Sequence, residues 1–250
     1  MKQSLKRIFT LTHRNIKEIL RDPLSLIFLL GLPLLMEILF YFIFHNLTPQ
    51  FEMKYIAPGI VVFSQSFITL FAGLLIATDR TSSFLTRLYV SPTKPFEFIF
   101  GYTFALLPIS LVQSVLFFLV GGIIDFSFWS VNILLGILLS AFTSLLFIGL
   151  GIMFGSLCNE KSIGGIASVV IVGQSVLSGM WFPVEGLSEG FIIFMKVLPF
   201  KNATILIQNV INGYSNILMD IFLPMIIVLA YIIVVFITAI IIFRKKMKSN

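Results

Sequence analysis

Few side chains in this 250-residue chain could carry covalent or acid–base chemistry, and they are scattered. The two histidines, His13 and His45, have no pair of acids beside them in sequence. A metal site or a general acid–base site needs such a cluster. A single cysteine, Cys158, excludes an internal disulfide and a cysteine-based metal cage. No G-x-x-x-x-G-K-[ST] loop is present to cradle phosphates; the nearest run, GSLCNEKS from Gly155, lacks the second glycine. Any nucleotide that drives this protein must therefore bind another chain. One acid stands out. Glu37 lies inside an otherwise apolar run, where an ionised carboxylate at mid-bilayer costs about 2.5–3.5 kcal/mol. It must face other helices or water, or hold a proton. Either it pairs or snorkels as an incidental acid, or it lines a path.

The remaining chemistry is that of contact, in residues 79–95, DRTSSFLTRLYVSPTKP. This polar island separates two long apolar runs. Arg80, Arg87 and Lys94 make it basic, and there is room for about three helical turns before Ser91. Phe84, Leu85, Leu88 and Tyr89 fall on one face of such a helix. The segment is either an ordinary loop with one amphipathic turn or a helix offered to a soluble partner.

The elements that position these residues are apolar. Hydrophobic residues make up 58% of the chain, charged residues 11%, and 28 residues are Phe, which excludes an ordinary soluble domain. Six membrane spans are expected, at residues 24–44, 56–78, 98–120, 132–157, 162–182 and 221–243. Residues 1–22 precede them as a basic amphipathic helix, suited to the anionic membrane surface. Asp22-Pro23 starts the first span, and Pro33 should kink it. Gln65 is polar enough to bond between helices or to sit on a path. Ser140, Ser144, Gly151 and Gly155 form a small-residue stripe that lets helices approach closely. Residues 183–213 carry two apolar patches divided by Pro199 and read as a segment that dips into the membrane and returns; a hairpin on the outer surface is the alternative.

Charge orients the whole. Fourteen of the 17 Lys and Arg residues lie in the N-terminal helix, the island, the loop after the fourth span and the C-terminal tail. Only Lys54, Lys196 and Lys201 lie on the other side. Both termini and the island are thus expected in the cytoplasm. The formal charge of +6 is better explained by this bias than by nucleic-acid binding.

Four motifs, in order on this topology, resemble those of ABC-2 type transporter permeases, of the small six-span kind that includes daunorubicin-type drug exporters. They are Arg21-Asp22-Pro23; Ala57-Pro58-Gly59; the island, with Asp79-Arg80, Leu85, Leu88, Val90, Ser91 and Pro92; and Ser178-Gly179-Met180-Trp181-Phe182-Pro183 with Leu198-Pro199-Phe200. Ser83-Phe84 stand where the family usually has Gly-Thr, and Thr86 where an acid is frequent. The resemblance implies an all-α integral membrane protein with an interface helix, a coupling helix and an external re-entrant hairpin. It implies a plasma-membrane permease that exports a drug-like, antibiotic, peptide or lipid-like cargo, with a second permease subunit as its partner. ATP and magnesium would sit on a separate ATPase; no cofactor is expected on this chain. Coupling would fall to Asp79, Arg80, Phe84, Leu85, Leu88, Tyr89 and Pro92. Glu37, Gln65, Phe182, Pro183 and Pro199 would line the path or its gate. The competing readings are export of a lipid-linked glycan, an ion-coupled secondary transporter, and an integral membrane enzyme. The last two lack, respectively, several midplane ionisable groups and a cluster of catalytic acids.

Overall fold

The computed structural model describes residues 2–82, 94–182 and 186–249, and these are helical with no strand among them. Helix α1 (Lys2–Leu20) is followed by a short α2 (Pro23–Leu26), a π-turn (Ile27–Gly31) and α3 (Leu32–Phe44). Then come α4 (Met53–Thr81), α5 (Pro95–Ile124), α6 (Asn132–Leu157) and α7 (Glu160–Leu177). A pair, α8 (Glu189–Val197) and α9 (Pro199–Asn212), leads through a second π-turn (Leu218–Phe222) into α10 (Leu223–Ser249). Asp22 starts α2 as expected: the Ser25 N–H and hydroxyl both donate to its carboxylate.

Five helical stretches are long and apolar enough to cross a membrane: Ile27–Phe44, Met53–Thr81, Pro95–Ile124, Asn132–Leu157 and Leu218–Lys245. A sixth exists if α8 and α9, bent by 81° at Leu198, together form one span. The expected span at 162–182 is the point of difference. Helix α7 begins on Glu160 and Lys161, stops at Leu177, and is not among the five. The apolar run continues to Phe182, but Gly179 adopts φ 72°, a left-handed conformation that ends regular helix.

Helix α4 is the centre. About 72% of its most apolar window is buried, against 17% for Ile27–Phe44 and 28% for the last span. In lipid, apolar burial alone gives helices little reason to associate, so close packing and polar bonds must hold them. Both occur where α4 meets α6. A Cβ at Gly151 would stand 2.5 Å from that of Ala72 and 2.7 Å from the Thr69 carbonyl; one at Gly155 would stand 2.6 Å from the Gly73 carbonyl. Gln65 joins the same pair of helices. Its amide donates to the Ser140 carbonyl at 2.8 Å, and its own carbonyl accepts from the Thr143 hydroxyl at 2.9 Å.

Three of the helical prolines show a common pattern. A helical proline frees the carbonyl four residues before it. Pro33 frees that of Leu29, which Gln113 of α5 takes at 3.1 Å. Pro58 frees Lys54, which accepts from Asn212 of α9 at 3.0 Å. Pro224 frees Asp220, which accepts from Asn209 of α9, also at 3.0 Å. Pro33 and Pro224 each follow a π-turn, so the expected kink in the first span is a local widening of the helix.

Helix α9 runs antiparallel to α6. Ile211 lies against Gly136, and eleven residues away on both helices the ring of Phe200 lies over that of Phe147, 6.3 Å between centroids. The break at Leu198 is thereby held level with the middle of α6.

Candidate coupling site

Two carboxylates flank the polar island, one on each side of residues 83–93. Asp79 is not in a loop. It lies on the last turns of α4, 1% exposed. Arg14 of α1 grips it through both terminal nitrogens, at 2.5 Å each, and the Tyr102 hydroxyl of α5 donates to it at 2.6 Å. Glu97, the third residue of α5, accepts from the backbone N–H of Lys94 at 3.1 Å and so caps its own helix. It also accepts from the Ser4 hydroxyl and lies 3.5 Å from the Arg7 guanidinium. Arg7 and Arg14 are two turns apart and so share a face of α1. Both ends of the island therefore hold the same helix.

Packing completes the joint. Ile8, Leu11 and Asn15 are the buried side of α1. A Cβ at Gly101 would meet that of Leu11 at 2.8 Å, and the Thr12 hydroxyl donates to the Gly101 carbonyl at 3.3 Å. The opposite side exposes Leu5, Phe9 and Leu20. The amphipathic pattern read from the sequence is split: its arc of Leu5, Ile8, Phe9 and Leu20 loses Ile8 to the buried side with Leu11 and Asn15, and Arg7 and Arg14 turn toward protein carboxylates. Glu18 competes with Asp79 for Arg14, at 2.5 Å. Burial, then the charge of Asp79, pushes its carboxyl above its ordinary pKa, against the pull of Arg14 and Arg21.

Arg80 turns the other way. One nitrogen donates to the carbonyls of Gly155, Ser156 and Cys158, at 3.1, 3.0 and 2.9 Å. These carbonyls end α6, where a helix presents unpaired acceptors and partial negative charge. So the dipeptide Asp79-Arg80 ties α4 to α1, α5 and α6 through buried bonds. Phe84, Leu85, Leu88, Tyr89 and Pro92 lie outside the described residues.

The described residues expected on a path lie on separate elements. Gln65 is fully buried between α4 and α6, its amide bonded as above. Phe182 is half-buried beyond α7, Pro199 is the buried first residue of α9, and Pro183 lies outside the described residues. Glu37 is fully buried on α3, and neither carboxyl oxygen has a hydrogen-bond partner among the described residues. It lies beside Met53 and Gly121: a Cβ at Gly121 would be 3.3 Å from its Oε1 and 3.0 Å from the methionine sulfur. An unpaired buried acid opposes folding whichever proton state it holds. Glu37→Met, close in volume, is expected to raise the thermal midpoint in detergent by a few degrees, about 2–4 °C per kcal/mol. A lowered midpoint would show that the carboxyl has a stabilising role.

Glu97, Tyr102, Arg7 and Arg14 are the participants that the sequence reading missed. The Lys94-Pro95-Phe96-Glu97 start, with proline first and an acid third in the helix, was the available signal for Glu97. No local signal marks Tyr102.

No group of three or more potential metal ligands occurs among the described residues. What the arrangement can do is mechanical: it fixes α1, α4, α5 and α6 to the ends of one segment. No curated protein matches the chain. Residues 6–212, from within α1 to the last residue of α9, match the family model described as ABC-2 type transporter. With several apolar helices around a closely packed centre and that match across most of its length, the chain belongs to the ABC-2 type transporter family, as a multi-pass membrane component of transport.

Proposed function

We propose that the protein is the permease subunit of an ATP-driven exporter of the drug-exporting kind, moving an amphiphilic cargo out of the cytoplasm or inner leaflet. A separate ATPase binds residues 79–95, and a second permease subunit shares the path. The carrying observation is the double grip on α1: Asp79 holds Arg14, and Glu97 holds Ser4 and Arg7. A displacement of the island is passed to α4 and α5 by covalent continuity, and to α1 by these bonds. Arg80 adds α6. The count of basic residues supports a cytoplasmic island and cytoplasmic termini.

The apolar face of Phe84, Leu85, Leu88 and Tyr89 would lie in a groove of the ATPase, as amphipathic helices do. Leu85→Asp or Leu88→Asp places a charge in that contact at a cost of several kcal/mol, enough to weaken a complex more than a hundredfold. Each variant is expected to insert and assemble normally, to lose the ATPase in co-purification and to stop export. Co-purification at wild-type stoichiometry with full export in both variants would overturn this reading.

Glu37 favours one second reading, ion-coupled transport, because a buried unpaired carboxyl can exchange a proton. Export that follows ATP and ignores an uncoupler excludes it. The reverse pattern, with Glu37→Gln inactive, establishes it.

A further inference from the structure

The break between α8 and α9 leaves two positive features without a partner among the described residues. Helix α9 begins at Pro199 with Leu198 as its cap residue, which makes no side-chain cap bond, and among the described residues no side chain accepts from its first turn. Pro199 has no N–H, so the N–H groups of Phe200 and Lys201 are those left without an intrahelical acceptor. Asn202 does not fill the gap; its side-chain amide turns back to the carbonyls of Lys196 and Leu198, at 2.7 Å each.

The second feature is Lys201. It is 7% exposed, yet no acid or hydrogen-bond acceptor meets its ammonium among the described residues. Side chains in a helix lean toward its N-terminus, and for Lys201 that is the direction of the uncapped end. The level is unusual for a lysine. Phe200, its neighbour in the chain, lies over Phe147 in the middle of α6 and against Gly173 of α7. A mostly buried cation with no paired acid among the described residues, beside the positive end of a helix and near a second cation, Lys196, calls for an anion.

A third group lies on the same face. Thr204 is three residues on from Lys201, so the two share one side of α9. Gln174 of α7 donates to the Thr204 hydroxyl at 3.1 Å, which leaves the glutamine Oε1 buried and unpartnered. Along this face the protein thus offers a cation and then, about one helical turn away, a neutral acceptor. Their complement is an anion with a hydroxyl or amide donor close beside it.

We propose that the N-terminus of α9, Lys201 and Gln174 form a binding site for a phosphate-bearing amphiphile whose headgroup also carries a hydroxyl. Half-helix N-termini inside membrane proteins bind anionic groups of substrates in this manner. That the amphiphile is cargo rests on the transport reading above; that it binds does not, and binding is measured without the ATPase, so the two can fail separately.

The test uses the full chain purified in neutral detergent. Affinity for dodecyl phosphate is measured by thermophoresis, and bound phosphatidylglycerol and phosphatidylcholine are counted by native mass spectrometry. Lys201→Met is expected to weaken dodecyl phosphate binding about tenfold or more, and Lys201→Arg to keep it within about threefold. The ligand-free midpoint of Lys201→Met should not fall, because an unpaired cation has been removed. Gln174→Leu should reduce phosphatidylglycerol adducts more than it weakens dodecyl phosphate. Phosphatidylglycerol adducts that depend on Lys201 identify a lipid headgroup as the source of the anion. Displacement of dodecyl phosphate by inorganic phosphate, with no such adducts, identifies a free phosphate compound. Equal affinity of wild type and Lys201→Met overturns the proposal. If Lys201→Met does not fold, wild type decides: no preference for dodecyl phosphate over dodecanol overturns it equally.

Discussion

Replacing Asp79 with alanine is expected to release α1 from the bundle. The substitution removes one partner of a buried ion pair, which typically costs about 3–5 kcal/mol. Arg14 is about one-third exposed and can turn to water, so the lower end applies. The hydroxyl of Tyr102, a residue only 1% exposed, then loses its acceptor, adding about 1–3 kcal/mol. Asp79→Asn should do less harm, since an amide oxygen still accepts from Tyr102. The readout is the buried side of α1. In a background lacking Cys158, a cysteine at Ile8 should be slow to react with maleimide in otherwise wild-type protein and fast in Asp79→Ala. Arg14→Met should mimic the effect, and the double variant should be little worse than either single one, because both remove the same bond. Equal reactivity at Ile8 in all four proteins would mean that packing against α5 alone holds α1.

Gly151→Leu is expected to abolish folded protein altogether. Its Cβ would stand 2.7 Å from the Thr69 carbonyl and 2.5 Å from the Ala72 side chain, and backbone at that distance cannot yield without parting α4 from α6. Gly151→Ala is the graded case. Overpacking of this kind costs about 1–3 kcal/mol, and Ala72→Gly in the same chain should restore part of it by removing one of the two collisions. Gly164 and Gly165 on α7 are the controls, since a Cβ at either meets nothing within 4 Å. Gel filtration in detergent separates the outcomes: a single peak for Gly164→Leu, and aggregated or absent protein for Gly151→Leu. A single peak for Gly151→Leu would show that α4 and α6 do not pack as closely as described.

The features legible in the sequence were those with a local cause. Asp22-Pro23 marks a helix start by capping chemistry confined to four residues, and Pro199 marks the break between α8 and α9 because a proline carries no N–H. The amphipathic character of α1 follows from periodicity, though its buried side of Ile8, Leu11 and Asn15 does not, and the small residues of α6 do meet another helix closely. Asp79 and Arg80 were legible only as polar residues beside an apolar run, which assigned them to a loop and to a partner. Their bonds run to residues 65 and 75–78 positions away, and no local pattern encodes such a pairing. The end of α7 was missed for a related reason. Met180-Trp181-Phe182 is as apolar as a membrane span, and a single left-handed glycine outweighs it.

The three prolines in α3, α4 and α10 have a mechanical consequence that reaches beyond stability. At each, a helix is cheapest to bend, and there an amide from a different helix is fastened to the loosened carbonyl. A bond at a flexible point opposes sliding past it, and at α4 a second one, from Gln208 to the Tyr55 carbonyl at 2.9 Å, adds to the first. Two of the three bonds at prolines belong to α9, at Asn209 and Asn212, which fastens one short helix to the start of α4 and to the foot of α10. Whatever tilting the long helices undergo, these bonds hold the depth of α9 against the start of α4 and the foot of α10, like a post set between two gates.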